Sequence, residues 1–285
     1  RGRKPPGSGD STAPATDAHA GGGRRRFVAP PREDVDAASF RHPLFGEYGD
    51  LLDLAAAARW PEIEALNARM PASGPRFARQ DAALLTDGLH YEERIARGRI
   101  ATRPENWHDL FNAMVWMRHP ALKHALNQQQ CRHIARMGTS ERSPAQQALT
   151  QFDETGVIVQ VSDPSLLDLW DRHDWTALFH ANAKRWHDGG VAVVAVAGHA
   201  LMEQSLVPGR RLVGKCLVVL GDPDGAVARV AASIAAGGIL AAPSELRPLP
   251  LAGIPGWHAG QGEAFYTQEG YFRPLREGRV YPPPL

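Results

Sequence analysis

Cysteine is nearly absent. The chain has 285 residues and two cysteines, Cys131 and Cys216, far apart and without metal-ligand spacing. That excludes a disulfide framework and a thiolate zinc site, and it points to a reducing compartment, the cytoplasm. No apolar run reaches the length of a membrane span. Charge is nearly balanced at +1, so no strong field draws the body to nucleic acid or a membrane. Familiar catalytic signatures are missing too. There is no GxGxxG after a strand, no GxxxxGK[ST], no GxSxG and no HExxH, and GDPDGAVARV has too few glycines for a dinucleotide loop.

What is present is an ordinary globular composition, 43% hydrophobic and 22% charged, with ample material for a core. The charge is unevenly placed. Residues 1–26 hold six Lys/Arg and two Asp, a balance of +4, which leaves the remainder at about −3. This stretch is rich in Gly, Pro, Ser and Ala and lacks the apolar centre of a secretory signal. It reads as a disordered basic tail, either a solvated end or an arm that touches nucleic acid or anionic lipid. Residues 27–285 read as a single globular domain.

The strongest helical signal is TRPENWHDLFNAMVWMRHP, residues 102–120. Thr102 with Glu105 has capping-box spacing, and Pro104 falls in the first turn. Trp107, Leu110, Phe111, Met114 and Met117 form one apolar stripe. His108 and Asn112 lie four apart on the face beside it, either as a solvated flank or reaching into a cleft, with Asp109 orienting a neighbour. A second helix, ALKHALNQQQCRHIARM, follows the corner at Pro120 and ends at Gly138. His133 on it suits a core histidine.

Upstream, residues 43–70 carry helical material, FARQ and ALL suggest short extended pieces, and HYEERIARGRI suggests a charged helix. In residues 148–161, ALTQF and VIVQV flank Asp153-Glu154-Thr155-Gly156, a hairpin pattern whose acids could be turn chemistry or hold a metal. Val191 to Ala197 is a β-branched run suited to a strand buried on both faces. After it, Gly198-His199-Ala-Leu-Met-Glu203 turns into a helix with His199 and Glu203 on one face, near the carboxyl end of the strand. A histidine at a helix start has its pKa lowered by the dipole and suits ligand or acid–base roles. Cys216 to Leu220 is another strand, and AVARVAASIAAGG a helix. The Pro- and Gly-rich end, with Trp257, Phe265, Tyr266, Tyr271 and Phe272, reads as an ordered strap that either docks the terminus or walls a pocket. The expected fold class is α/β, with α+β as the alternative: a helix-rich N-terminal half, a small central sheet and an irregular C-terminal strap.

Taken in order, NWHDLFNAMVWMRHPALKHALNQQQ, ALTQFDETG, GHALMEQ and PLPLAGIPGW with FYTQEGYFRP resemble the proteobacterial family called domain of unknown function 3025, over roughly Phe77 to Pro274. The resemblance implies that four segments form one unit and carries no activity. The paired His-Asp at 108–109 is also similar to that of metal-dependent phosphohydrolases, but those are all-helical and the β-rich centre departs from them.

Three functions follow from these residues. The first is a metal-dependent, hydrolytic small-molecule enzyme. Its metal ligands would come from His199, Glu203, Asp153 and Glu154, and its catalytic groups would be His108, Asp109 and Asn112. A mixed N/O shell suits one divalent Zn, Mn or Fe ion. The second is a metal-free ligand pocket with an acid–base pair, His199–Glu203 or His108–Asp109. The third is a non-catalytic interaction protein whose polar clusters fix the fold. The distance from His108 to His199 separates a single site from scattered polar clusters.

Overall fold

The computed structural model describes residues 27–139 and 142–285. The basic tail, residues 1–26, lies outside the described residues. Arg32 begins the first short helical turn, its guanidinium stacked over Trp60 and Trp107. A 3-10 helix over Pro43–Leu51 leads into α1 (Leu52–Ala56) and α2 (Ile63–Ala68). Strand β1 (Arg76–Arg79), helices α3 (Ala82–Leu85) and α4 (Tyr91–Ala96), and strand β2 (Arg99–Thr102) follow. β1 and β2 pair in parallel as a two-stranded sheet. FARQ is therefore extended as expected, whereas ALL is helical because Asp81 caps it through Leu84 N.

Helix α5 (Trp107–Arg118) is one turn shorter than its sequence pattern suggests. Thr102 ends β2 rather than capping the helix. Glu105 adopts φ +52°, a left-handed conformation that no helix interior accepts. Asn106 caps instead, accepting from Asp109 N at 3.0 Å. The apolar stripe is buried as far as Met114, and Ala113, Val115 and Trp116 are buried as well. The helix is thus enclosed on almost every side, which rules out a solvated flank for Asn112. His119 separates α5 from α6 (Pro120–Met137), the tight corner expected at Pro120. His133 on α6 is only partly buried and is not a core histidine.

The expected hairpin at residues 148–161 is absent. Ser143 and Gln146 form a capping box with Pro144 at the first position, so α7 (Pro144–Thr155) runs through ALTQFDET. It passes without a loop into β3 (Gly156–Val161). Gly156 is needed there for space: a Cβ would lie 2.1 Å from the Phe152 carbonyl oxygen. α8 (Pro164–Asp171), a π-helical turn over Thr176–Ala181 and α9 (Ala183–His187) then lead to β4 (Val191–Val196). α10 (His199–Ser205), β5 (Val213–Leu220), α11 (Ala226–Ala236), β6 (Arg247–Pro250) and α12 (Glu263–Tyr266) complete the chain.

The main sheet has the order β4-β3-β5-β6. β3 runs parallel to β5 and antiparallel to β4, and β6 is antiparallel to β5. The strand buried along its whole length is β3. β4 lies at the edge and is half-exposed over Ala192 to Val194, which corrects the expectation that it would be covered on both faces. Its edge is closed at one residue: Tyr48 Oη donates to Val196 O, and Val196 N donates to Glu47 Oε1.

Alternate residues of the sheet feed two apolar clusters. Val157, Val159 and Val161 face the one that includes α5 and α8. Ile158, Leu217 and Val219 face α6, α7 and α11. The result is a helix–sheet–helix arrangement, mixed α/β as expected. Each fully enclosed large side chain, such as Phe111 or Phe152, contributes on the order of 1.5–3 kcal/mol by burial. The C-terminal strap docks Phe265, Tyr266 and Phe272 around Phe179 of the π-turn. His173 bonds Arg273 O and Tyr281 Oη to fasten it.

Candidate metal centre

Antiparallel pairing builds the site. Val157 pairs with Val196, so the residues just before β3 lie beside those just after β4. Glu154, in the last turn of α7, therefore meets His199, the first residue of α10. The backbones touch closely: Gly198 N donates to Gly156 O at 2.9 Å, and a Cβ on Gly198 would fall 2.6 Å from Thr155 Cα. α5 packs across α10 and brings His108 to the same point.

The His108 ring is gripped at both nitrogens by residues one turn apart on α10. Its Nδ1 lies 3.0 Å from Glu203 Oε2, and its Nε2 lies 3.0 Å from His199 Nε2. Glu154 Oε1 stands 3.8 Å from each Nε2. The two ring centroids are only 4.4 Å apart and the rings are nearly perpendicular. Rings meeting end to end at that Nε2 separation would have much more distant centroids, so these two converge side by side on a common point. A triangle with sides 3.0, 3.8 and 3.8 Å has its centre about 2.1 Å from each corner. That is a zinc–nitrogen or zinc–carboxylate bond length. Among the described residues, His108, Glu154 and His199 are the group whose donor atoms converge in this way.

Electrostatics suit a cation. Burial pushes His199 down to about 3, so the imidazole is neutral and its lone pair available. Desolvation here, more than a helix dipole, is the cause. For His108, burial lowers the pKa, but Glu203 and Glu154 outweigh it and the net shift is upward. Burial raises Glu154, reinforced by Asp153 and opposed by His108. A carboxylate that accepts a hydrogen bond from a histidine Nδ1–H fixes that ring with Nε2 free for a metal.

The remaining expected site residues have other partners. Asp153 bonds Lys123 Nζ at 2.5 Å, and although burial raises its pKa, Lys123 brings it below the usual range. Asp109 does not touch His108. It accepts from Arg103 N, Nε and Nη2 in an ion pair that ties β2 to α5. Asn112 Nδ2 donates to Tyr91 Oη. The adjacent acids thus part company: Glu154 turns to the histidines, Asp153 to Lys123. Glu203 lies behind His108 and outside the converging trio.

Two cavities meet at the centre. An inner one of about 330 Å³ is lined by His108, Asn112, Trp116, Lys123, Asp153 and His199, among others. An outer one of about 790 Å³ shares His108 and Glu154 and is bordered by Phe27 to Arg32 and Trp60. None of the strap after Pro250 lines either, so it docks rather than walls the site. Sequence reasoning missed Lys123, Arg103, Tyr91 and Glu92. The one signal was Lys123, a lysine next to the apolar side of its helix.

The fold and the centre define a mixed α/β protein with a partly buried His₂Glu donor set at the junction of two cavities. The family model described as protein of unknown function (DUF3025) matches residues 75–276, more than two-thirds of the chain, and the chain belongs to that family. No curated protein and no solved structure matches it. No helix among the described residues is long and apolar enough to cross a membrane.

Proposed function

We propose that His108, His199 and Glu154 bind one divalent metal ion, Zn, Mn or Fe, and that the metal activates water for hydrolysis of a small molecule held in the inner cavity. The convergence of three donors on a point about 2.1 Å from each carries the reading. Three protein ligands leave coordination positions open, the arrangement of catalytic rather than structural sites. A bound metal lowers the pKa of its water and polarises the bond under attack. Asp153, kept ionised by Lys123, is the carboxylate placed in the cavity to accept the water's proton. Glu203 positions His108 and does not touch the metal.

A second reading rests on the 3.0 Å contact between the two Nε2 atoms, which also fits a hydrogen bond between neutral histidines. His108 and Glu203 would then be an oriented acid–base pair in a metal-free pocket. Reconstitution separates the two. Chelator-treated protein is assayed against ester, amide and phosphoester panels with and without added Zn²⁺ or Mn²⁺, alongside His199→Ala. The metal reading expects hydrolysis that returns with one equivalent of metal and is absent from His199→Ala. Hydrolysis indifferent to chelator would favour the acid–base pair.

A further inference from the structure

His108, Asn112 and Trp116 follow one another at four-residue steps along α5, so they lie on one face, each about 6 Å of rise beyond the last. All three line the inner cavity. Asn112 and Trp116 are 8% and 1% exposed, and each has a polar atom without a partner, Asn112 Oδ1 and Trp116 Nε1. Turning the Asn112 amide over does not help: Tyr91 Oη engages one end, and the other stays free. Buried polar groups left unpaired cost on the order of 1–3 kcal/mol each, so two on one cavity wall mark where a ligand or its stand-in water bonds.

The charges around them are spoken for. Arg103 is paired with Asp109 and Lys123 with Asp153. Burial raises the Glu92 carboxyl to about 7, where Asn127 bonds it. Arg142, the other cation of the lining, is exposed. On this face of α5 the buried atoms left unpaired are one amide end and one indole N–H; His199 Nδ1, at the metal centre, is the other such atom among the lining residues.

We infer that the inner cavity recognises an uncharged carboxamide group of the substrate, whose N–H donates to Asn112 Oδ1 and whose carbonyl accepts from Trp116 Nε1. A carboxamide carries that complementary pair in one rigid plane and needs no counter-charge. The inference rests on the proposed reaction only for where the scissile bond lies, beside His108 and one to two helical turns away.

The test uses N-acetylglycinamide as probe and the ¹H–¹⁵N signals of the seven tryptophan indoles as readout. Trp116→Phe assigns the Trp116 signal. The expected result is a saturable shift of that signal with a Kd of about 1–20 mM, the range for so small a ligand. Acetate and glycerol should leave it in place. Asn112→Leu should weaken the probe at least about tenfold, the worth of one hydrogen bond to a buried site. Should Asn112→Leu lose the other indole signals, Asn112→Ala removes the same acceptor with a smaller side chain and should weaken the probe likewise. The same shift should persist in metal-free protein, so a failed metal centre and a failed carboxamide site are told apart. No saturation, an equal response to acetate or glycerol, or full affinity in the folded Asn112 variant overturns the inference.

Discussion

Replacing Glu203 by Gln removes one negative charge 3.0 Å from His108 Nδ1 and leaves an acceptor of the same shape. Glu203 is 16% exposed at its side chain, so solvent screens the pair only partly. Hydrogen bonds to a charged group are roughly twice as strong as neutral ones, and loss of such a supporting partner costs about 10–100-fold in metal affinity, or roughly 1.4–2.7 kcal/mol. The His108 pKa provides an internal control. Burial lowers it and the carboxylates of Glu203 and Glu154 bring it above the ordinary imidazole value. A proton on His108 competes with the metal, so affinity falls as pH falls through that raised pKa. Glu203→Gln lowers this pKa and eases the competition, so the deficit is larger at the alkaline end, about pH 8, and shrinks toward about pH 6 as the proton competes. Competition titration against a chromophoric chelator at both pH values measures it. Affinity unchanged near pH 8 would refute the positioning role. A loss as complete as that of His108→Ala would make Glu203 a ligand instead.

Glu92→Gln should stabilise the protein in alkali and not in acid. Burial raises this carboxyl to about 7, so the wild type loses stability as pH rises from its unfolded value toward 7 and carries the full cost, a few kcal/mol at most, above it. Urea unfolding at pH 4 and pH 8, roughly either side of that window, should show the gain only at the higher value. Gly198→Ala should cost about 1–3 kcal/mol and weaken metal binding, because the new methyl meets Thr155 and must displace His199 from Glu154. A variant that unfolds and titrates like wild type would contradict the close approach. Asp109→Ala should cost about 2–4 kcal/mol in denaturant through loss of its partners on Arg103, with metal stoichiometry unchanged. Phe152→Ala, at 0% exposure on the buried face of α7, should cost about 3–5 kcal/mol by cavity formation.

The helices of the fold were largely legible because their signals are local. The α5 stripe, the corner at Pro120 and the α10 pair His199/Glu203 all follow from 3.6-residue spacing. What failed depended on neighbours or on competing local codes. DETG resembles a turn, yet Ser143-Pro144 with Gln146 specifies the helix start and carries it through to Thr155. Val191 to Ala197 is as apolar as a central strand, but centrality is set by pairing, and β3 takes that place. For the site, residue types and one face per helix could be read. Which acid of Asp153-Glu154 faces the histidines could not, since that depends on α7 being a helix. Asp109 resembled a catalytic partner of His108 by adjacency alone, and neighbours on a helix point about 100° apart. Arg103, out of the helical pattern, claims it.

The central claim is that His108, His199 and Glu154 hold a metal together. Elemental analysis of protein purified without chelator, set beside His199→Ala and Glu154→Gln with folding checked by circular dichroism, tests it most directly. The expected result is about one divalent metal per wild-type chain and a small fraction of that in either variant. Substoichiometric metal in all three, with melting unchanged by chelator, would contradict it.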